Sequence, residues 1–164
     1  MPKHSPLTRT APADQSAPAA AAAAPSGPAA PRAGAIHVLI VDDESVIRTA
    51  VRTALEDAGY VVHEAADGVI AMDVLRVSPQ PLVVVLDLMM PRMSGTEVLE
   101  FLAAEPVWAQ RHSVIVLTAV GRWLTSKHLQ PLLEHFAISL VGKPFDVEDL
   151  LAVVAAAAHR LPPA

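Results

Sequence analysis

Leu82-Val83-Val84-Val85-Leu86-Asp87 is five aliphatic residues in a row, closed by an acid. The run has no polar alternation, so both of its faces want to be covered, which predicts a fully buried strand. A strand buried on both faces needs layers above and below it. It also delivers one charged side chain, Asp87, to the point where the strand runs out.

Working outward, the same design repeats. Ile36 to Val41 is an apolar run broken only by His37, and it ends in Asp42, Asp43 and Glu44. Val46, Ile47, Ala50, Val51, Ala54, Leu55 and Ala58 then recur at helix spacing, with Arg48, Thr49, Arg52, Thr53, Glu56 and Asp57 on the opposite side. Ser45 is placed to cap this helix and Gly59 to end it. Tyr60 to Glu64 reads as a second strand, Asp67 and Gly68 as a turn, and Val69 to Val77 as a helix closed by Ser78 and Pro79. After Asp87, a loop with Pro91, Ser94 and Gly95 leads to a helix over Thr96 to Ala104 that stops before Pro106. Val114 to Leu117 is the fourth strand, ending at Thr118. Ile138 to Val141 is the fifth, ending at Gly142 and Lys143, and Asp146 caps a last helix with Val147, Leu150, Leu151 and Val154 inward.

Alternating buried strands and amphipathic helices imply an α/β fold, a doubly wound parallel sheet covered on both faces. Right-handed crossovers place every strand's C-terminal end on one edge, where ligands of open α/β sheets bind. Asp42, Asp43, Asp87, Thr118 and Lys143 all fall on that edge.

Composition bounds the rest. Of residues 1–34, 19 are Ala or Pro, and Leu7 is the only large aliphatic, so this stretch reads as a disordered Ala/Pro-rich tail and not a targeting signal. The folded domain is expected over 35–160, with a short C-terminal tail at 161–164. Lys3, Arg9 and Arg32 against Asp14 give the tail +2, so the remainder carries −5 − 2 = −7. An acidic domain argues against direct DNA binding through a basic surface. The absence of cysteine suits a cytoplasmic protein, and no apolar run is long enough for a membrane span.

Three carboxylates gathered at one edge repel one another unless something offsets them. Mg²⁺ is the natural counter-ion, a hard cation that takes oxygen ligands. Lys143 adds a mobile positive charge suited to a phosphoryl oxygen, and the Thr118 hydroxyl adds a donor.

VDDES, LDLMMPRMSG, VIVLTA and GKPF, in that order at four strand ends, resemble the receiver domain of bacterial two-component response regulators. The resemblance covers about residues 36 to 159. It implies a flavodoxin-like sheet of order 2-1-3-4-5 with five helices. Asp87 would then accept a phosphoryl group from a phosphohistidine on a sensor histidine kinase or histidine phosphotransfer domain. Asp42 and Asp43 would hold Mg²⁺ with Asp87 and the Met89 backbone carbonyl. Thr118 and Lys143 would bind phosphoryl oxygens, with the Lys143–Pro144 bond cis.

Two departures from that family stand out. Its members usually carry Tyr or Phe where Leu140 stands, so the usual inward swing of an aromatic ring cannot operate. Phe136, Ala137, Ile138 and Ser139 replace a turn of Gly-Ala-Asp type. Pro131 falls inside the helix expected between Thr118 and Lys143, which predicts that helix to be kinked, split or late-starting. None of the seven histidines, His37, His63 and His112 among them, is given a role. Glu64, Arg92 and Arg122 read as surface residues, with modulation of the site as the alternative, Trp108 as packing, and Trp123 as lying on a partner-docking face.

The resulting expectation is a single-domain response regulator, not an enzyme, because the chain ends at Ala164 directly after its last helix. It would signal to an unknown downstream protein by phosphorylation-dependent binding. A phosphorelay intermediate or phosphate sink is the alternative. An aspartate-nucleophile phosphatase of the haloacid dehalogenase type is remote, since Met89 occupies the position of that class's general acid.

Overall fold

A computed structural model describes residues 34–119, 129–136 and 138–163. Residues 1–33 of the expected N-terminal tail, and also Arg122 and Trp123, lie outside the described residues.

Five strands form one parallel sheet: β1 (His37–Val41), β2 (Val61–Ala65), β3 (Leu82–Asp87), β4 (Ser113–Ala119) and β5 (Ser139–Lys143). Their order is β2-β1-β3-β4-β5. The expected flavodoxin-like order is therefore the observed one. The helices are α1 (Ser45–Asp57), α2 (Gly68–Val77), α3 (Gly95–Ala104), α4 (Pro106–Arg111), α5 (Leu129–Phe136) and α6 (Val147–Ala158).

Parity along the strands sorts the core into two layers. Leu39, Val41, Leu82, Val84, Leu86, Val114 and Val116 pack with Met72, Leu75, Val98, Leu99 and Leu102 of α2 and α3. Their sequence neighbours Val38, Ile40, Val83, Val85, Ile115 and Leu117 pack on the other face with Val51 and Leu55 of α1 and Leu150 and Val154 of α6. Every side chain of β3 is buried, as its unbroken aliphatic run requires.

Six helices are described where five were expected. The extra one, α4, is six residues long and starts on Pro106 at a first-turn position, where a missing N–H is harmless. Its Trp108 lies edge-on to Phe101 against the α2/α3 layer. Three local readings also change. Glu44, not Ser45, occupies the N-cap of α1, without a side-chain cap. Val46 is exposed and does not share the buried stripe of α1. Asp67 is more than a turn residue: its side chain caps α2 by accepting from the Ile70 N–H at 3.0 Å.

The described part of α5 carries Pro131 in its first turn. The chain immediately ahead of Leu129, on which the proline expectation also bears, is outside the described residues. No described helix is long and apolar enough to cross a membrane.

Candidate functional site

Strand register assembles the edge. Val41 pairs with Leu86, which sets Asp42 level with Asp87 one residue further on. Asp87 pairs with Leu117, so Thr118 lies one step beyond it on the next strand, and Ala119 pairs with Lys143. Four elements that are far apart in sequence thus end at one place. The Lys143–Pro144 peptide bond is cis.

Lys143 ties the acids together. Its Nζ lies 2.7 Å from Asp42 Oδ2 and 3.3 Å from Asp87 Oδ2. Asp42 is fully buried, and Asp87 and Thr118 are 4% and 5% exposed, whereas Asp43 faces solvent. Asp42 is further fixed by the Glu44 N–H, which donates to its Oδ1 at 2.8 Å. Among the described residues the Thr118 hydroxyl makes only a long 3.4 Å contact to the Ala119 carbonyl, so it is poised to donate elsewhere. Met89 follows Asp87 by two positions, with an exposed side chain.

The electrostatics follow from that placement. Burial pushes the Asp87 carboxyl above the ordinary carboxylate range; Lys143 draws it back, Asp42 raises it again, and a hydrogen bond from the Met89 backbone lowers it. The net is upward. Burial alone would lower the Lys143 ammonium, but its hydrogen bond to Asp42 and the charges of Asp87 and Asp42 outweigh that and hold it above its usual value. Lys143 therefore stays charged.

The residues fit a hard divalent cation. Carboxylate oxygens of Asp42, Asp43 and Asp87 all lie within 4.8 Å of one another. All are oxygen donors, and such a set suits Mg²⁺, which binds through one or two carboxylates, waters and phosphate oxygens. One lysine against three carboxylates also leaves a negative excess for a cation to neutralise.

Sequence reasoning missed Arg48, assigning it to the solvated side of α1. Its Nη1 donates to the Asp42 backbone carbonyl at 2.7 Å, and its Nε lies 3.4 Å from Glu64 on β2. Arg52 meets the same Glu64 at 3.3 Å. The contact goes to a backbone oxygen, which no side-chain pattern announces. Leu140, on the edge strand β5, is 39% exposed. His37 and His63 pair with each other at 3.1 Å, and His112 accepts the Leu82 N–H at 3.1 Å. None of these three hydrogen-bonds to the acidic cluster.

Comparison with known proteins agrees with this geometry. Residues 38–155 match the family model described as the response regulator receiver domain. The chain is 38% identical over 126 residues to the DNA-binding dual master transcriptional regulator RpaA of Synechocystis sp., covering 75% of this chain and 49% of that protein. It is 36% identical over 129 residues to the response regulator MprA of Mycobacterium tuberculosis, covering 79% and 53%. The chain thus spans about half the length of the curated relatives it matches. Among solved structures it is similar to a CheY-like receiver domain protein from Methanospirillum hungatei JF-1, with TM-score 0.64, 31% identity, and 76% and 95% of the two chains covered. It is also similar to chemotaxis protein CheY4 of Vibrio cholerae, with TM-score 0.62, 29% identity, and 75% and 98% covered.

Proposed function

The chain belongs to the response regulator receiver domain family of two-component signalling, and from that membership we propose that Asp87 accepts a phosphoryl group from a phosphohistidine of a partner kinase or histidine phosphotransfer domain. The observation that carries the reading is the cluster itself: a buried Asp87 joined to Asp42 through one lysine, with three carboxylates within 4.8 Å. A carboxylate oxygen of Asp87 attacks phosphorus as the phosphorus–nitrogen bond of the donor breaks, and the electron pair of that bond returns to the imidazole nitrogen. The products are an aspartyl phosphate and a free histidine. Lys143 and the Thr118 hydroxyl hold the phosphoryl oxygens, which carry most of the charge through the transfer. Asp42, Asp43, Asp87 and the Met89 carbonyl would hold Mg²⁺, which supplies charge neutralisation when bound. A groove of about 560 Å³ between Val46, Ile47 and Phe145, opening beside Lys143, gives a donor helix an apolar seat next to the acceptor.

We place this chemistry in the cytoplasm and read its output as phosphorylation-dependent protein binding by this domain. The −7 carried by residues 35–164, from a total of −5 and a tail of +2, supports protein binding over direct DNA contact by this domain. RpaA's DNA binding is a property of that relative. A phosphorelay or phosphate-sink role is the second reading, favoured by Leu140, which lacks the ring that usually reports phosphorylation. Partner affinity compared with and without a phosphoryl mimic at Asp87 separates the two, since an unchanged affinity favours the relay. The phosphatase reading has Met89 where its general acid belongs, and turnover of a phosphate ester by the purified protein would revive it.

The test is acyl-phosphate formation with a small-molecule phosphodonor and Mg²⁺, followed by intact mass. The native chain is expected to gain one hydroxylamine-labile phosphoryl group and Asp87→Asn none. An unlabelled native chain overturns the assignment.

A further inference from the structure

The loop from β3 to α3 holds a feature that the acceptor chemistry leaves unexplained. Arg92 has φ 68°, the one positive value at a residue other than glycine among the described residues. Across it the Met93 N–H donates to the Pro91 carbonyl at 2.9 Å. A hydrogen bond from residue i+2 to residue i around a left-handed centre is a γ-turn of the rare, strained kind. A residue with a side chain stays there only if its surroundings hold it.

Two contacts from the start of α2 do so. Asp67 is fully buried, and while its Oδ1 caps α2, its Oδ2 has no hydrogen-bond partner among the described residues and meets the Arg92 guanidinium as an ion pair. A buried carboxylate oxygen without such a cation would be costly. Next to it the Gly68 N–H donates to the Met93 carbonyl at 3.2 Å. A Cβ on Gly68 would stand 2.7 Å from that same oxygen, so α2 approaches the turn as closely as a backbone can.

We infer that Asp67 and Arg92 are a latch that positions the Leu88–Pro91 segment, and with it the Met89 backbone, against Asp87. The loop is pinned at its near end, where the Gly95 N–H donates to the Leu88 carbonyl at 3.2 Å, and at its far end by the latch. Between those pins lie Met89, Met90 and Pro91, with few free torsions. Neither Asp67 nor Arg92 belongs to the acidic cluster, so both act through the loop as positioning residues. The inference rests on the reading of Asp87 as acceptor and of the acids as the Mg²⁺ site.

Four proteins test it: native, Arg92→Gly, Arg92→Lys and Asp67→Asn. Glycine accepts the positive φ while deleting the charge, and asparagine keeps the cap on Ile70 while deleting the ion pair. Mg²⁺ affinity of the unphosphorylated proteins is read by calorimetric titration, and acyl-phosphate formation by intact mass. Loss of a supporting contact should raise the Mg²⁺ dissociation constant by about 10-fold in Arg92→Gly and Asp67→Asn, and Arg92→Gly should also lose thermal stability because Asp67 is left buried without its cation. Arg92→Lys should recover most of that loss. Arg92→Gly binding Mg²⁺ within about twofold of native, against an expected loss of about 10-fold, sinks the latch while leaving the acceptor reading intact. A native protein that neither binds Mg²⁺ nor labels at Asp87 overturns both together.

Discussion

His112 shows how a single side chain outside the site can set the fold's response to acid. It is buried at the entry to β4, and its Nδ1 accepts the Leu82 N–H, which ties the start of the central strand to the segment after α4. Burial first, and the neighbouring Arg111 charge second, lower its pKa to about 4. The unfolded chain takes up this proton near pH 6.5, and the folded protein only near pH 4. Between those values the unfolded state binds more protons, so stability falls as pH drops through the window and is unaffected above it. By pH 5 the penalty should reach roughly 2 kcal/mol. His112→Asn keeps an acceptor for Leu82 but cannot titrate. Urea unfolding should therefore show native and His112→Asn curves converging as pH falls from 7 to 5, and parallel pH dependences would refute the assignment. At this scale the sequence was partly legible. Asp42, Asp87, Thr118 and Lys143 announced themselves because each sits at the end of a strand that could be read locally. Arg48, Asp67 and His112 did not, because their partners are a backbone carbonyl six residues back, an arginine 25 residues on and an amide 30 residues back.

The junction of β3 and α3 shows an element positioned by what is missing from one residue. A Cβ on Gly95 would lie 2.1 Å from the Asp87 carbonyl oxygen and 2.9 Å from Leu88 Cα, so the helix start and the Asp87 backbone share one space. Ser94 and Glu97 close the helix with a capping box, the Ser94 N–H donating to Glu97 Oε2 at 2.8 Å and the Glu97 N–H to Ser94 Oγ at 3.3 Å. These two devices separate by substitution. Ser94→Ala should destabilise by about 1 kcal/mol and leave labelling of Asp87 near native, since only the helix end loosens. Gly95→Ala must displace the Asp87 peptide, so it should destabilise by more than about 2 kcal/mol and also slow labelling. Urea denaturation beside phosphodonor labelling checks the pair, and a Gly95→Ala protein that labels at the native rate would contradict it. Elements were legible where period and length were strong, as in β3 and in the α6 stripe through Leu150 and Val154. The short α4 was not, because six residues opening on Pro106 and Val107 carry too little period to separate a helix from a loop.

Taken as a whole, the molecule gathers its least stable chemistry at one edge of a sheet covered by two apolar core layers. Asp42 and Asp87 are buried within reach of a single lysine, and the pKa of Asp87 is raised chiefly by that burial. A carboxyl with a raised folded pKa stabilises the fold while protonated and loses that stabilisation as pH rises through the folded value, so at neutral pH its full ionisation penalty is present. The site is thus held open at the expense of the fold, and two consequences can be measured together. Asp87→Asn removes one of the opposed charges while Lys143 keeps its 2.7 Å partner Asp42. This variant should be more stable than native at pH 7, an advantage that shrinks toward acid. If Mg²⁺ is held by the three folded-state carboxylates as proposed, about ten times its dissociation constant should stabilise the native protein by roughly 1.4 kcal/mol. In Asp87→Asn that increment should be largely lost, because one of the three carboxylates is gone. Thermal unfolding at matched ionic strength, with and without Mg²⁺, reads both effects. Equal Mg²⁺ shifts in the two proteins would mean that the cation is held elsewhere. An Asp87→Asn protein less stable than native would mean that the Asp87 carboxylate supports the fold instead of straining it.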